Sequence, residues 1–206
     1  MKIKSETSKY ISMGIIAIFF VGFVYLTAKA IQISSKTQIG VDDGIYTNTV
    51  KTSKEISAKA FELSKECRSE LCKVQSLLDY VTHIPYKINH FRAKSPQATI
   101  QKNFGDCDDK SNLLISMLYA LKIESYFVLV PKHIFVIVKI EDKKLHHVKG
   151  LWVDGKKYFI LEGTAEGSKV GFPLKYNFDE IHAIVEPFSN EKLPYEKLEY
   201  KISNKN

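Results

Sequence analysis

The residues best suited to chemistry are a cysteine, a histidine and the polar groups around them. Gly105-Asp106-Cys107-Asp108-Asp109-Lys110 runs into an apolar-periodic stretch, and Pro131-Lys132-His133 comes after one Val/Tyr/Phe-rich run and opens another. A cysteine at a helix entrance and a histidine at the start of a later strand are parts of a thiol nucleophile. The helix end supplies partial positive charge that favours thiolate. A strand holds the imidazole steadily enough to take and return a proton. Asp106, Asp108 and Asp109 act in the opposite sense, because negative charge raises a thiol pKa. Tying these carboxylates to the free N–H groups of the helix end would relieve that conflict.

The elements that must position these groups can be read from periodicity. Ser53 caps an apolar-periodic helix to Leu63, and a second helix runs from about Glu70 to Thr82, ended by Pro85. Residues 86–104 read as a loop with a short turn of helix. The central helix spans about Cys107 to Leu121, with Asp106 as N-cap and Leu113, Leu114, Met117, Leu118 and Leu121 as its buried stripe. Strands are expected at Ser125–Val130, His133–Ile140, Leu151–Val153, Lys157–Leu161 and His182–Glu186, with Asp154-Gly155 as a hairpin turn. Helices first and then a mostly antiparallel sheet make an α+β fold.

The amino terminus bears on the compartment. Lys2, Lys4 and Lys9 precede a charge-free stretch, Tyr10 to Ala28. As a helix its apolar part is roughly 27 Å long, close to the hydrocarbon thickness of a bilayer. The lysines before it should stay cytoplasmic, which exports the chain beyond residue 28. The length favours an uncleaved anchor, while Ala28-Lys29-Ala30 has the small-x-small form of a signal-peptide cleavage site. Either way the expected location is a single-pass cell membrane, with the main domain periplasmic or extracellular.

The expected organisation is a cytoplasmic N-terminus (1–9), the anchor (10–28) and a polar spacer (29–52) with an Asp42-Asp43-Gly44 turn. The main domain (53–187) and a peripheral tail (188–206) complete it.

Three cysteines suit export. Cys67 and Cys72 read as one disulfide, provided the helix breaks between them, or else as two idle thiols. Cys107 is then the free thiol. No metal-ligand spacing accompanies the pair. The net charge is +7, yet only Arg68 and Arg92 among 30 basic residues are arginine, so base readout and phosphate clamping are poorly served and nucleic acid is not an expected partner.

Together these residues resemble the transglutaminase-like superfamily, whose core is papain-like. The resemblance covers about residues 60–187. It rests on Gly105-Asp106-Cys107-Asp108-Asp109 heading a helix, His133 in Pro131-Lys132-His133-Ile134-Phe135, and Leu161-Glu162-Gly163-Thr164 ending a strand. It implies Cys107 as nucleophile, His133 as base and acid, and Glu162 orienting His133, where the family commonly has Asp. Antiparallel pairing would bring the start of the His133 strand beside the end of the Glu162 strand. The rival acid, Asp154, sits at the far turn. The other histidines (His83, His90, His146, His147 and His182) read as surface.

The implied activity is acyl transfer through a Cys107 thioester on a protein or peptide substrate: a cysteine peptidase or amidase, since water is the plentiful acceptor outside the cell. A cross-linking transglutaminase and a non-catalytic peptide-binding domain are the alternatives. The resemblance also suggests Gln101, six residues before Cys107, as an oxyanion helper beside the Cys107 backbone N–H. No cofactor is required. One branch, the exported bacterial transglutaminase-like cysteine proteinases, uses calcium near its cysteine, and the aspartates here are of the right ligand type but too few to define a site.

Overall fold

The computed structural model describes residues 3–41, 44–88 and 93–202. It forms two units, Met1–Thr37 and Gln38–Asn206. The first is one helix, α1 (Ile3–Thr37). Its segment Ser8–Gln32 has a mean hydropathy of 2.2 and is long and apolar enough to cross a membrane. The helix runs nine residues beyond the expected span of 10–28, because nothing after Ala28 breaks it: no Pro or Gly occurs before Gly40.

The second unit opens with a hairpin, β1 (Gln38–Val41) and β2 (Gly44–Thr47), and continues with helices α2 (Lys54–Ser64), α3 (Glu70–His83), α4 (Pro96–Lys102) and α5 (Cys107–Ala120). Ser53, Ser69 and Ser95 cap α2, α3 and α4 through their side chains. The main sheet is built from β3 (Ser125–Val130), β4 (His133–Val138), β5 (Gly150–Val153), β6 (Lys156–Leu161), β7 (Ala183–Val185) and β8 (Leu198–Lys201). Its spatial order is β7-β3-β4-β6-β5-β8, with every described pairing antiparallel.

Two expected boundaries are corrected. Residues 38–52 are not a spacer: Ile39 and Tyr46 are buried in the core, and the Tyr46 hydroxyl donates to the Val130 carbonyl. Asn112 of α5 clasps the next segment, accepting from Thr49 N–H and donating to Thr47 O. The expected peripheral tail (188–206) is corrected over its described part, 188–202, since β8 extends the sheet along β5. The Asp42-Asp43 turn signal, Arg92 and His90 lie outside the described residues.

Alternation on the strands divides the core. Ile134, Val136 and Val138 join the helices in one cluster, whereas Phe135 and Ile137 join Ile160 and Tyr158 on the opposite face. α5 lies in the helical cluster and is tied to β4 by Ser111 Oγ donating to Ile134 O. The β5–β6 turn uses Asp154 and Gly155, both at positive φ, as a tight hairpin requires. Asp154 also accepts from the backbone N–H groups of Glu196 and Lys197, so the rival acid is engaged in holding the chain before β8.

Cys67 and Cys72 form a disulfide across the break between α2 and α3. Cys107 is the free cysteine.

Candidate active site

Cys107 is the first residue of α5 and is half-buried. Asp106 and Asp109 form a capping box: Asp106 Oδ1 accepts from Asp109 N–H at 3.2 Å, and Asp109 accepts in return from Asp106 N–H at 3.3 Å. Asp109 also receives the Lys94 backbone N–H at 2.5 Å and an ion pair from the Lys94 ammonium, all inside the protein. Close approach requires Gly105, where an added Cβ would stand 2.9 Å from Asp109 Cβ.

Lys110 lies one turn beyond Cys107 and is only 1 % exposed. Its ammonium donates to Thr82 O and Ile84 O, closing the C-terminal end of α3 against α5. Burial lowers its pKa, while Glu162 and Glu166 act in the opposite direction.

His133 begins β4, and Glu162 comes directly after β6. Pairing of Val136 with Leu161 sets this end of the sheet, where Glu162 Oε2 accepts from His133 Nε2 at 2.8 Å. Glu162 Oε1 accepts from the Thr164 backbone N–H at 2.9 Å and its hydroxyl at 2.5 Å. Burial pushes the Glu162 carboxyl upward, but the His133 hydrogen bond and charge and the two Thr164 bonds outweigh it and hold the pKa below the usual value. With Nε2 engaged, Nδ1 is the imidazole nitrogen left for other chemistry.

Two tyrosines flank these residues, Tyr86 beside Gly105 and Tyr176 beside His133. Tyr86 is pinned beside Gly105, with Gly105 N–H donating to Pro85 O and Lys87 N–H to Gly105 O. Burial raises the Tyr86 hydroxyl most, and the charges of Cys107, Asp106, Asp108 and Glu162 add to it. Tyr176 stacks near His133 and Phe135, and after burial its hydroxyl feels Glu162, Glu180 and Cys107. Tyr86, Tyr176 and Lys110 carry no motif, so no sequence signal marks them as neighbours of the site. Gln101 is exposed on α4 and makes no hydrogen bond to Cys107, His133 or Glu162 among the described residues. His83, His146 and His147 are exposed, but His182 is half-buried beside β7, which corrects the expectation that it is a surface residue.

The thiol is not poised as thiolate. Burial, then the charges of Asp108 and Asp106, push Cys107 up to about 12, and its Sγ lies 3.6 Å from Asp108 Oδ1 as a hydrogen-bond donor. Asp108 is itself raised to about 6 by burial and by Asp106. The conflict among the aspartates therefore falls largely on Asp108, since Asp106 and Asp109 serve as caps. Among the described residues no three His, Cys, Asp or Glu side chains gather as metal ligands.

Asp108→Asn is accordingly expected to speed Cys107 alkylation by iodoacetamide about tenfold at pH 8, one pKa unit being a factor of ten in thiolate. Below pH 6 Asp108 is protonated in the native protein too, so the two rates should converge there. Stopped-time mass spectrometry across pH 5–9 checks both.

The family model described as the transglutaminase-like superfamily matches residues 57–163. The chain belongs to the transglutaminase-like superfamily. The superfamily match spans α2 through β6 and includes Cys107 and His133 and the Glu162 position. Among solved structures, a "putative cysteine protease" from Cytophaga hutchinsonii is 18 % identical with a TM-score of 0.43, over 58 % of this chain and 39 % of that one. A "putative protease" from Parabacteroides distasonis is 16 % identical with a TM-score of 0.46, over 72 % of this chain and 29 % of that one. The chain thus spans well under half the length of each. No curated protein matches it.

Proposed function

We propose that the globular unit is a thiol acyl-transfer enzyme, a cysteine peptidase or amidase, tethered by α1 to the outer side of a cell membrane. The observation that carries this reading is the part-buried His133–Glu162 hydrogen bond through Nε2, which orients the imidazole and leaves Nδ1 as the nitrogen not engaged by Glu162. The apolar segment Ser8–Gln32, preceded by lysines, supports the tether and its orientation.

In this reading His133 Nδ1 takes the proton of Cys107 as Sγ bonds to the amide carbonyl carbon. This route suits a thiol held neutral by its neighbours. The Cys107 backbone N–H, at the first position of α5, has no partner within the helix and is the donor that stabilises the oxyanion. The carbon–nitrogen bond then breaks, and the departing amine takes the proton from His133. Water adds to the thioester with His133 as base, which releases the acid and returns the proton to sulfur.

The test is mass spectrometry of the full chain in detergent with a thiol-directed acylating probe, and then product analysis with peptide substrates. Expected are labelling at Cys107 and release of free amine. Incorporation of an added amine instead would make the protein a cross-linking transferase. Inert Cys107 would leave only the peptide-binding reading.

A further inference from the structure

Behind His133, on the face of the sheet away from α5, lies a cavity of about 240 Å³. Its walls are Phe135, Ile160, Ala165, Phe172, Leu174 and Tyr176, and His133, Glu162 and Thr164 stand at one side of it. Gly171 and Phe172 N–H both donate to Ile160 O, which straps residues 171–176 over the sheet edge as the outer wall. The Tyr176 ring lies nearly parallel to both His133 and Phe135, with centroids 6.4 and 6.2 Å away, so one aromatic surface joins the imidazole to the cavity.

Size and chemistry define the occupant. The volume is below the roughly 300–1,000 Å³ of sites for drug-sized ligands, and suits one large side chain. The polar groups at its edge are engaged with one another: Thr164 donates to Glu162, and Glu162 accepts from His133. The Lys175 ammonium lies over the Phe172 ring. The cavity is therefore two-sided: Phe135, Ile160, Ala165, Phe172 and Leu174 offer an incoming group aliphatic and aromatic surface, where an unpaired polar atom is penalised, while His133, Glu162, Thr164 and Lys175 make the other side polar.

We infer that this cavity is the specificity pocket of the enzyme and receives one apolar side chain, of leucine to phenylalanine size, from a residue flanking the scissile amide. The inference rests on the thiol-enzyme reading above, because continuity with His133 is what places the occupant beside the reacting bond. Ala165 and Leu174 are two of the apolar residues lining the pocket. A larger residue at 165 should shorten it, and a smaller one at 174 should enlarge it.

The experiment incubates the full chain in detergent with a peptide library made by digesting denatured proteins after glutamate, and reads new termini by mass spectrometry. His133→Gln serves as the control that identifies cuts made by this site. Enrichment of Leu, Met or Phe of about tenfold or more over Gly at one flanking position supports the pocket, that being the scale on which a filled apolar pocket discriminates. Ala165→Leu should collapse the Phe-to-Gly ratio toward one, and Leu174→Ala should shift the preference from Leu toward Phe. Either response supports the pocket even if the other variant fails to fold. His133-dependent cuts without apolar enrichment, or enriched in Lys or Arg, overturn the pocket and leave the enzyme reading standing. The absence of any His133-dependent cut or label overturns both.

Discussion

Replacing His133 with glutamine is expected to slow acyl-probe labelling of Cys107 by about 10²–10⁴-fold, the usual contribution of a positioned acid–base group. The effect should be large because the thiol is held neutral. Burial and the Asp108 and Asp106 charges push Cys107 up to about 12, so only a minute fraction is thiolate at neutral pH. A pre-formed thiolate would react with little help; a half-buried thiol hydrogen-bonded to a carboxylate needs a base that removes the proton during attack. Glutamine keeps hydrogen bonding to Glu162 but cannot accept that proton. Labelling read by intact mass at pH 7.5, with circular dichroism to check folding, decides the matter. A loss below threefold would mean that the imidazole takes no part.

The same residues show what the sequence discloses and what it conceals. Order along the chain is readable wherever a local rule governs: Ser53 caps α2, Asp106 caps α5, and Asp154-Gly155 turns β5 into β6. The nearness of His133 and Glu162 is also readable, since antiparallel pairing puts a strand start beside a strand end. Concealed features share a different physics. β1, β2 and β8 are four residues each, with Ile39 and Tyr46 the buried side chains of the first two and β8 half-buried throughout, so Ile39 and Tyr46 look incidental in a Ser/Thr/Lys-rich stretch. Lys94 and Lys110 look like surface lysines among 30 basic residues, because burial of a cation is decided by partners distant in sequence: Asp109 for one, the carbonyls of Thr82 and Ile84 for the other. Tyr176 reaches His133 only through the strap beyond β6, and nothing local marks it.

Asp109→Ala is expected to destabilise the globular unit by about 3–5 kcal/mol, the cost of leaving one member of a buried ion pair without its partner. Asp109 is 0 % exposed and Lys94 is 6 % exposed, so water cannot take over the lost interactions. Removing the carboxylate strands the Lys94 ammonium and its backbone N–H, and opens the capping box at Asp106 N–H. Lys94→Met should cost less, because it leaves the two backbone donors to Asp109 in place and a flexible apolar chain can keep packing on the Phe104 ring, over which the ammonium lies at 4.4 Å. Combining Lys94→Met with Asp109→Ala should recover part of the single-mutant loss, since no unpaired cation remains; two groups in direct contact are not additive. Urea unfolding of the four proteins gives the cycle. The link to chemistry is positional: Asp109 anchors the first turn of α5, on which Cys107 is the first residue, so Asp109→Ala should also blunt His133-dependent labelling at urea concentrations where the protein remains folded. Full additivity of the two substitutions would mean that the pair is not coupled and that the helix end is held by its cap alone.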